Sequence, residues 1–134
     1  MTGIEKIRAN AEMAARKLGP LSGLGEGFGF NRASVEWVEG YIERLRSSGD
    51  FSGKQDFGSL PSVLGSFLGE CIVQTYGGEW RNEDGWWGIY FNDRNAAYPF
   101  NKVTKQFENG RDGGDSILSF FDTIPIVLLK KTDT

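Results

Sequence analysis

Residues 60–110, LPSVLGSFLGECIVQTYGGEWRNEDGWWGIYFNDRNAAYPFNKVTKQFENG, decide how the rest of the chain is read: an amphipathic helix from Leu60 to Tyr76, a Gly77-Gly78 break, an aromatic strand pair from Trp80 to Phe100, and a second helix opening at Asn101. Spacing defines the first helix. Leu60, Val63, Leu64, Phe67, Leu68, Cys71, Ile72, Thr75 and Tyr76 recur at i, i+3, i+4, i+7, the signature of one buried face. Pro61 falls in the first turn, where a missing N–H is tolerated. Ser66, Glu70 and Gln74 form a polar ridge on the opposite side. Gly65 and Gly69 leave a strip that lets another backbone approach, although each mid-helix glycine costs about 1 kcal/mol relative to alanine.

Downstream, Glu79-Trp80-Arg81 is a short extended piece and Asn82-Glu83-Asp84-Gly85 a turn signal. Trp86 to Phe91 alternates Trp87, Ile89 and Phe91 against Trp86, Gly88 and Tyr90. Both faces are apolar, so the strand is expected to be covered on both sides unless the Trp86/Tyr90 face is a binding surface. Asn92 to Asn95 reads as a hairpin loop and Asn95 or Ala96 to Phe100 as the return strand, with Pro99 placing it at an edge or ending its pairing. Asn101 is expected to cap a helix through Phe107, with Val103 and Phe107 inward and Lys102, Lys105 and Gln106 outward. Asp115 is expected to cap a last helix carrying Ile117, Leu118, Phe120, Phe121 and Ile124 until Pro125 breaks it. Ile126 to Leu129 completes the sheet in this reading, and Lys130 to Thr134 is a tail.

Upstream, Ser47 to Ser59 is the most loop-like stretch, with Phe51 and Phe57 as its pins. A helix from Ser34 to Ser47, capped by Asn31 or Ser34, buries Val35, Val38, Ile42 and Leu45, while Glu36, Glu39 and Glu43 line a solvated flank. Leu21 to Phe30, LSGLGEGFGF, matches neither a dinucleotide fingerprint nor a P-loop; it reads as a connector that drops Phe28 and Phe30 onto the core. From Gly3 to Leu18 a shallow, alanine-rich face suits close packing on another helix or a weakly docked arm, stopped by Gly19-Pro20. The expected architecture is α+β: one domain over residues 1–134, a mainly antiparallel sheet of three to four strands on the central helix, two helices before it and two short ones after, with residues 1–20 loosely docked.

Composition narrows the chemistry. The chain has 134 residues, a net charge of −3 and 39% hydrophobic residues, an ordinary globular balance with no pull toward nucleic acid or anionic membrane. One cysteine, Cys71, excludes an internal disulfide and fits a reducing, cytoplasmic setting. No histidine is present, which removes the commonest general base, imidazole-dependent nucleophiles and most transition-metal sites. Cys71 lies on the apolar side of its helix and reads as core. Asp112 and Asp115 lack calcium-loop spacing and read as turn and cap. No cofactor or metal site is expected.

Two surfaces remain as candidates. Trp86, Tyr90, Arg94, Tyr98, Lys102 and Lys105 combine aromatic and basic residues as protein-interface anchors do. The alternative is a sugar site: glycoside hydrolysis needs two carboxylates, and Glu70 and Glu79 near Trp80 supply them beside a stacking ring.

FLGECIVQTYGGEW, WWGIYF, YPFNKVTKQFENG and DSILSFFDTIP together resemble a bacterial family of small soluble domains of unknown function. The motifs are Leu68-Gly69-Glu70, Gly77-Gly78-Glu79-Trp80 and Pro99-Phe100-Asn101-Lys102-Val103, and the match runs from Leu60 to Pro125. The resemblance implies a bacterial origin and a single α+β domain, and carries no activity. The functional expectation is therefore a non-catalytic cytoplasmic domain that binds another protein, of which toxin-neutralising immunity proteins are one class. The alternatives are a carbohydrate-binding or carboxylate-dependent glycoside-active protein, and a homodimer through the Gly65/Gly69 strip or the amino-terminal helix.

Overall fold

The computed structural model describes residues 2–48 and 60–129. Phe51, Phe57 and the Lys130 to Thr134 tail lie outside them. The fold is α+β: helices α1 (Gly3–Ser22), α2 (Arg32–Ser48) and α3 (Leu60–Tyr76), a sheet of β1 (Glu79–Glu83), β2 (Trp86–Tyr90) and β3 (Ala96–Ala97), then α4 (Pro99–Asn109) and α5 (Ile117–Val127). The sheet is antiparallel throughout, in the order β1-β2-β3.

α3 is the hub, and it is buried on more than one face. Ser66, on the expected polar ridge, is 1% exposed, its hydroxyl bonded to the Ser62 carbonyl at 2.8 Å. Every residue from Val63 to Gly69 is buried, as befits a helix covered nearly all round. The glycine strip is filled from within the chain. A Cβ at Gly65 would meet the Phe100 ring at 2.5 Å, and one at Gly69 would meet the Trp80 ring at 2.1 Å. No face is left there for a second copy.

α1 is not a loose arm. Ala11, Ala14 and Leu18 are 0% exposed and α1 packs along α3. Thr2 and Glu5 close a capping box at its start. Gly19-Pro20 does not stop it: the helix runs to Ser22, Pro20 forgoing one hydrogen bond in the last turn, and ends at Gly23 with φ of +75°. The glycine-rich connector holds a short 3-10 turn at Gly25–Gly27. It drops Phe28 and Phe30 onto Phe67, with ring centroids 5.4 and 5.3 Å away.

Three boundaries differ from the sequence reading because a helix claims the residues first. Pro99 is the first residue of α4, with Tyr98 rather than Asn101 before it, so the return strand shrinks to Ala96–Ala97. Ser116, not Asp115, caps α5 by accepting from the Ser119 N–H at 2.9 Å. Pro125 sits inside α5, and Ile126 and Val127 extend that helix, 66% and 65% exposed, instead of forming a strand.

The solvated flank of α2 is overturned in part: Glu36 is exposed as expected, Glu43 is half-buried, and Glu39 turns inward. Glu39 is 5% exposed and Gln106, expected to face outward, is 0% exposed. The Gln106 amide donates to the Glu43 carboxylate at 2.8 Å and the Glu39 carbonyl at 3.3 Å, and its oxygen accepts from the Ile117 N–H at 2.9 Å. Glu39 accepts from the Ser116 hydroxyl and from the Leu118 N–H, so a carboxylate sits on the positive end of α5. Among the described residues no helix is long and apolar enough to cross a membrane.

Candidate functional site

Asp84 and Gly85, with φ of +56° and +88°, make a two-residue turn that pairs Glu83 with Trp86. The pairing sorts side chains by face. Trp80, Trp87 and Ile89 turn inward. Glu79, Arg81 and Glu83 of β1 and Trp86, Gly88 and Tyr90 of β2 turn outward.

Tyr98 joins the outer face from beyond β3. Its ring lies over Gly88, where a Cβ would stand 2.7 Å from it, so only glycine admits it. The Tyr98 and Tyr90 hydroxyls are 3.3 Å apart, with the rings edge to face at 6.5 Å. That hydrogen bond to Tyr98, aided by desolvation and the nearby Glu83 charge, pushes the Tyr90 phenol up to about 12. Arg81 sits 5.1 Å from the Tyr90 ring centroid and is held by Glu79 at 2.8 Å and Asp93 at 3.2 Å. The face is open to solvent: Trp86 is 73% exposed and Tyr98 39%.

Beside Trp86 runs a groove of about 420 Å³, bounded by Trp86 and Trp87 of β2, Tyr98, and Phe100, Asn101 and Thr104 of α4. Trp87 is braced from behind by the start of α1, where a Cβ at Gly3 would stand 2.6 Å from its ring.

The aromatic half of the expected interface is thus assembled, and the basic half is not. Trp86, Tyr90 and Tyr98 share one face. Arg94 is exposed in the Asn92 to Asn95 loop, which the Asn92 side chain closes by accepting from the Arg94 and Asn95 N–H groups. Lys102 is drawn toward α5, its ammonium 5.3 Å from the Phe120 ring centroid, and Lys105 is exposed on α4. Around the hairpin the charges are mostly acidic, with Glu79, Glu83, Asp84 and Asp93 against Arg81 and Arg94.

The sugar-site residues are separated. Trp80 is 9% exposed and its indole N–H donates to Glu70 at 2.9 Å, a bond that positions a core ring. Glu79 is on the outer face, paired with Arg81. The two carboxylates therefore lie on opposite sides of the sheet, and neither borders the groove. Cys71 is 0% exposed, its thiol pushed up by burial.

Sequence reasoning missed the groove, because it depends on β3 ending early. It also missed the Glu39, Glu43 and Gln106 cluster, although Val35, Val38, Glu39 and Ile42 carry the i, i+3, i+4, i+7 spacing that puts Glu39 on the buried stripe. Compared with protein-family models, with curated proteins and with solved structures, the chain finds no match.

Proposed function

We propose that the chain is a non-catalytic protein-binding domain, and that the outer face of its sheet, with Trp86, Tyr90 and Tyr98 at its centre, docks the partner. The observation behind this reading is the 73% exposure of Trp86 next to two further aromatic rings on an uncovered sheet. A large ring left in water contributes little to folding, whereas the same ring buried by a partner is the commonest kind of binding hot spot. The immunity-type role in a bacterial cytoplasm is the concrete class we favour, on size and acidity.

The test compares wild type with Trp86→Ala and Trp86→Glu as baits in lysate of the source cell. A protein retained in stoichiometric amount by wild type and lost by both variants is the expected result, with denaturation midpoints unchanged because Trp86 is a surface residue. Equal retention by all three overturns the reading. Carbohydrate binding is the second reading, favoured by the groove that Trp86, Asn101 and Thr104 border; a glycan array that quenches tryptophan fluorescence of wild type but not of Trp86→Ala selects it.

A further inference from the structure

The two-residue turn also determines where the backbone of β2 can bond. Glu83 and Trp86 flank the turn as a hydrogen-bonded pair, so Trp86, Gly88 and Tyr90 direct their N–H and C=O groups toward β1. Trp87, Ile89 and Phe91 direct theirs the other way. On that side the Phe91 N–H donates to the Asn95 carbonyl at 2.9 Å and Ile89 pairs with Ala97. The next residue in line, opposite Trp87, is Pro99. It has no N–H, and the chain has already turned into α4 there. The ladder stops, and the backbone groups of Trp87 face no strand. The groove bordered by Trp86, Trp87 and Tyr98 lies along this stretch, so it is a strand position left empty next to a pairing-competent edge.

Charge identifies the occupant. At the hairpin end of the groove Glu83 and Asp84 are exposed, and among the described residues neither is in an ion pair, while Arg81 is already engaged by Glu79 and Asp93. We propose that a basic, extended segment of the partner protein adds to β2 in the empty strand position. Its backbone bonds to the N–H and C=O of Trp87, an apolar side chain packs on the Trp86 and Tyr98 rings, and a lysine or arginine reaches Glu83 and Asp84. This is strand addition to an open edge, with main-chain bonds giving affinity and the flanking groups giving selectivity. It rests on the reading of the outer sheet face as the docking surface.

A random linear peptide library displayed on phage, selected on the wild-type chain and counter-selected on Trp86→Ala, tests it. The enriched peptides are expected to carry an excess of lysine and arginine. Synthetic copies should slow hydrogen exchange at the Trp87 amide, lose binding when the bonding amides are N-methylated, and bind the Glu83→Lys/Asp84→Lys variant more weakly by roughly two- to fivefold for each ion pair lost, the factor an exposed ion pair supplies. Failure to enrich, acidic or charge-indifferent peptides, or binding without protection of Trp87 each overturns the proposal. If the bait experiment loses its partner on Trp86→Ala while Glu83→Lys/Asp84→Lys retains it, the docking face stands and the strand position falls. If Trp86→Ala retains the partner, both fall.

Discussion

A Cβ at Gly69 would stand 2.1 Å from the Trp80 ring, and that ring has nowhere to go. Its indole N–H is bonded to Glu70, and Trp87 and Phe100 border it at 6.4 and 5.8 Å between centroids. Alanine at this position gains about 1 kcal/mol of helix propensity, against an overpacking cost of about 1–3 kcal/mol and upward in a site this tight. Gly69→Ala is therefore expected to lose up to about 2 kcal/mol net, seen as a lower urea midpoint at unchanged slope. In a Trp80→Phe background the smaller ring makes room, and the same substitution should cost less than it does alone. Equal costs in the two backgrounds would mean that the strip is not closed by Trp80. On the outer face the corresponding residue-scale test is Tyr98→Phe. The Tyr90 phenol, held near 12 first by its bond to the Tyr98 hydroxyl, should titrate closer to the ordinary tyrosine value of about 10 once that hydroxyl is gone. Ultraviolet absorbance of the phenolate reads it directly, and an unmoved titration would show that the two hydroxyls do not bond in solution.

Between helices, the join made by Glu39, Glu43 and Gln106 ties α2, α4 and α5 together. Burial alone would raise the Glu43 carboxyl, but the Gln106 amide, the Arg111 N–H at 2.9 Å and the Arg46 guanidinium outweigh it and leave Glu43 below the ordinary glutamate range. A carboxylate lowered in the folded state contributes stability above its unfolded value, and that contribution is lost as pH falls through the folded value. Wild type should thus lose stability as pH falls through and below the ordinary glutamate range, and Glu43→Gln should be less stable at neutral pH yet lose less over that acid interval, measured by urea denaturation at each pH. A parallel acid slope in the variant would exclude Glu43 as its source. This join also marks the limit of reading elements from local sequence. Hydrophobic spacing finds α3, the inward sides of α4 and α5 and the β1-β2 hairpin, because each is set by residues within one or two turns of each other. It does not show that Gln106 is buried, since the groups that satisfy its amide come from α2 and α5. Nor does it separate strand from helix at Pro99, a residue that suits an edge strand and a first helical turn equally.

The whole molecule depends on α1 more than its alanine-rich face suggests. A shallow face can mean weak docking or very close approach, and spacing does not distinguish them; what decides is the shape of α3, which is known only once Trp80 and Phe100 are seen to occupy the glycine side of that helix. With one side taken by the sheet and α4, α1 covers another, and Ile7, Ala11, Ala14 and Leu18 are all at or below 6% exposure. The same holds for the candidate site: its aromatic residues were legible from strand alternation, but the groove between them follows from where α4 begins and from α1 bracing Trp87 through Gly3. Removing residues 1–23 takes away Ile7 and Leu18 with the burial they contribute, a loss of about 1.5–3 kcal/mol for each large side chain before the uncovered face of α3 is counted. Against a typical total of about 5–15 kcal/mol, that takes the remainder to the limit of folding. A chain beginning at Leu24 is therefore expected to lose its near-ultraviolet circular dichroism and its cooperative urea transition, and to lose peptide protection at Trp87 along with them. A shortened chain that still unfolds cooperatively near the wild-type midpoint would restore α1 to the status of an accessory arm, and would mean that α3 can be covered on that side by solvent alone.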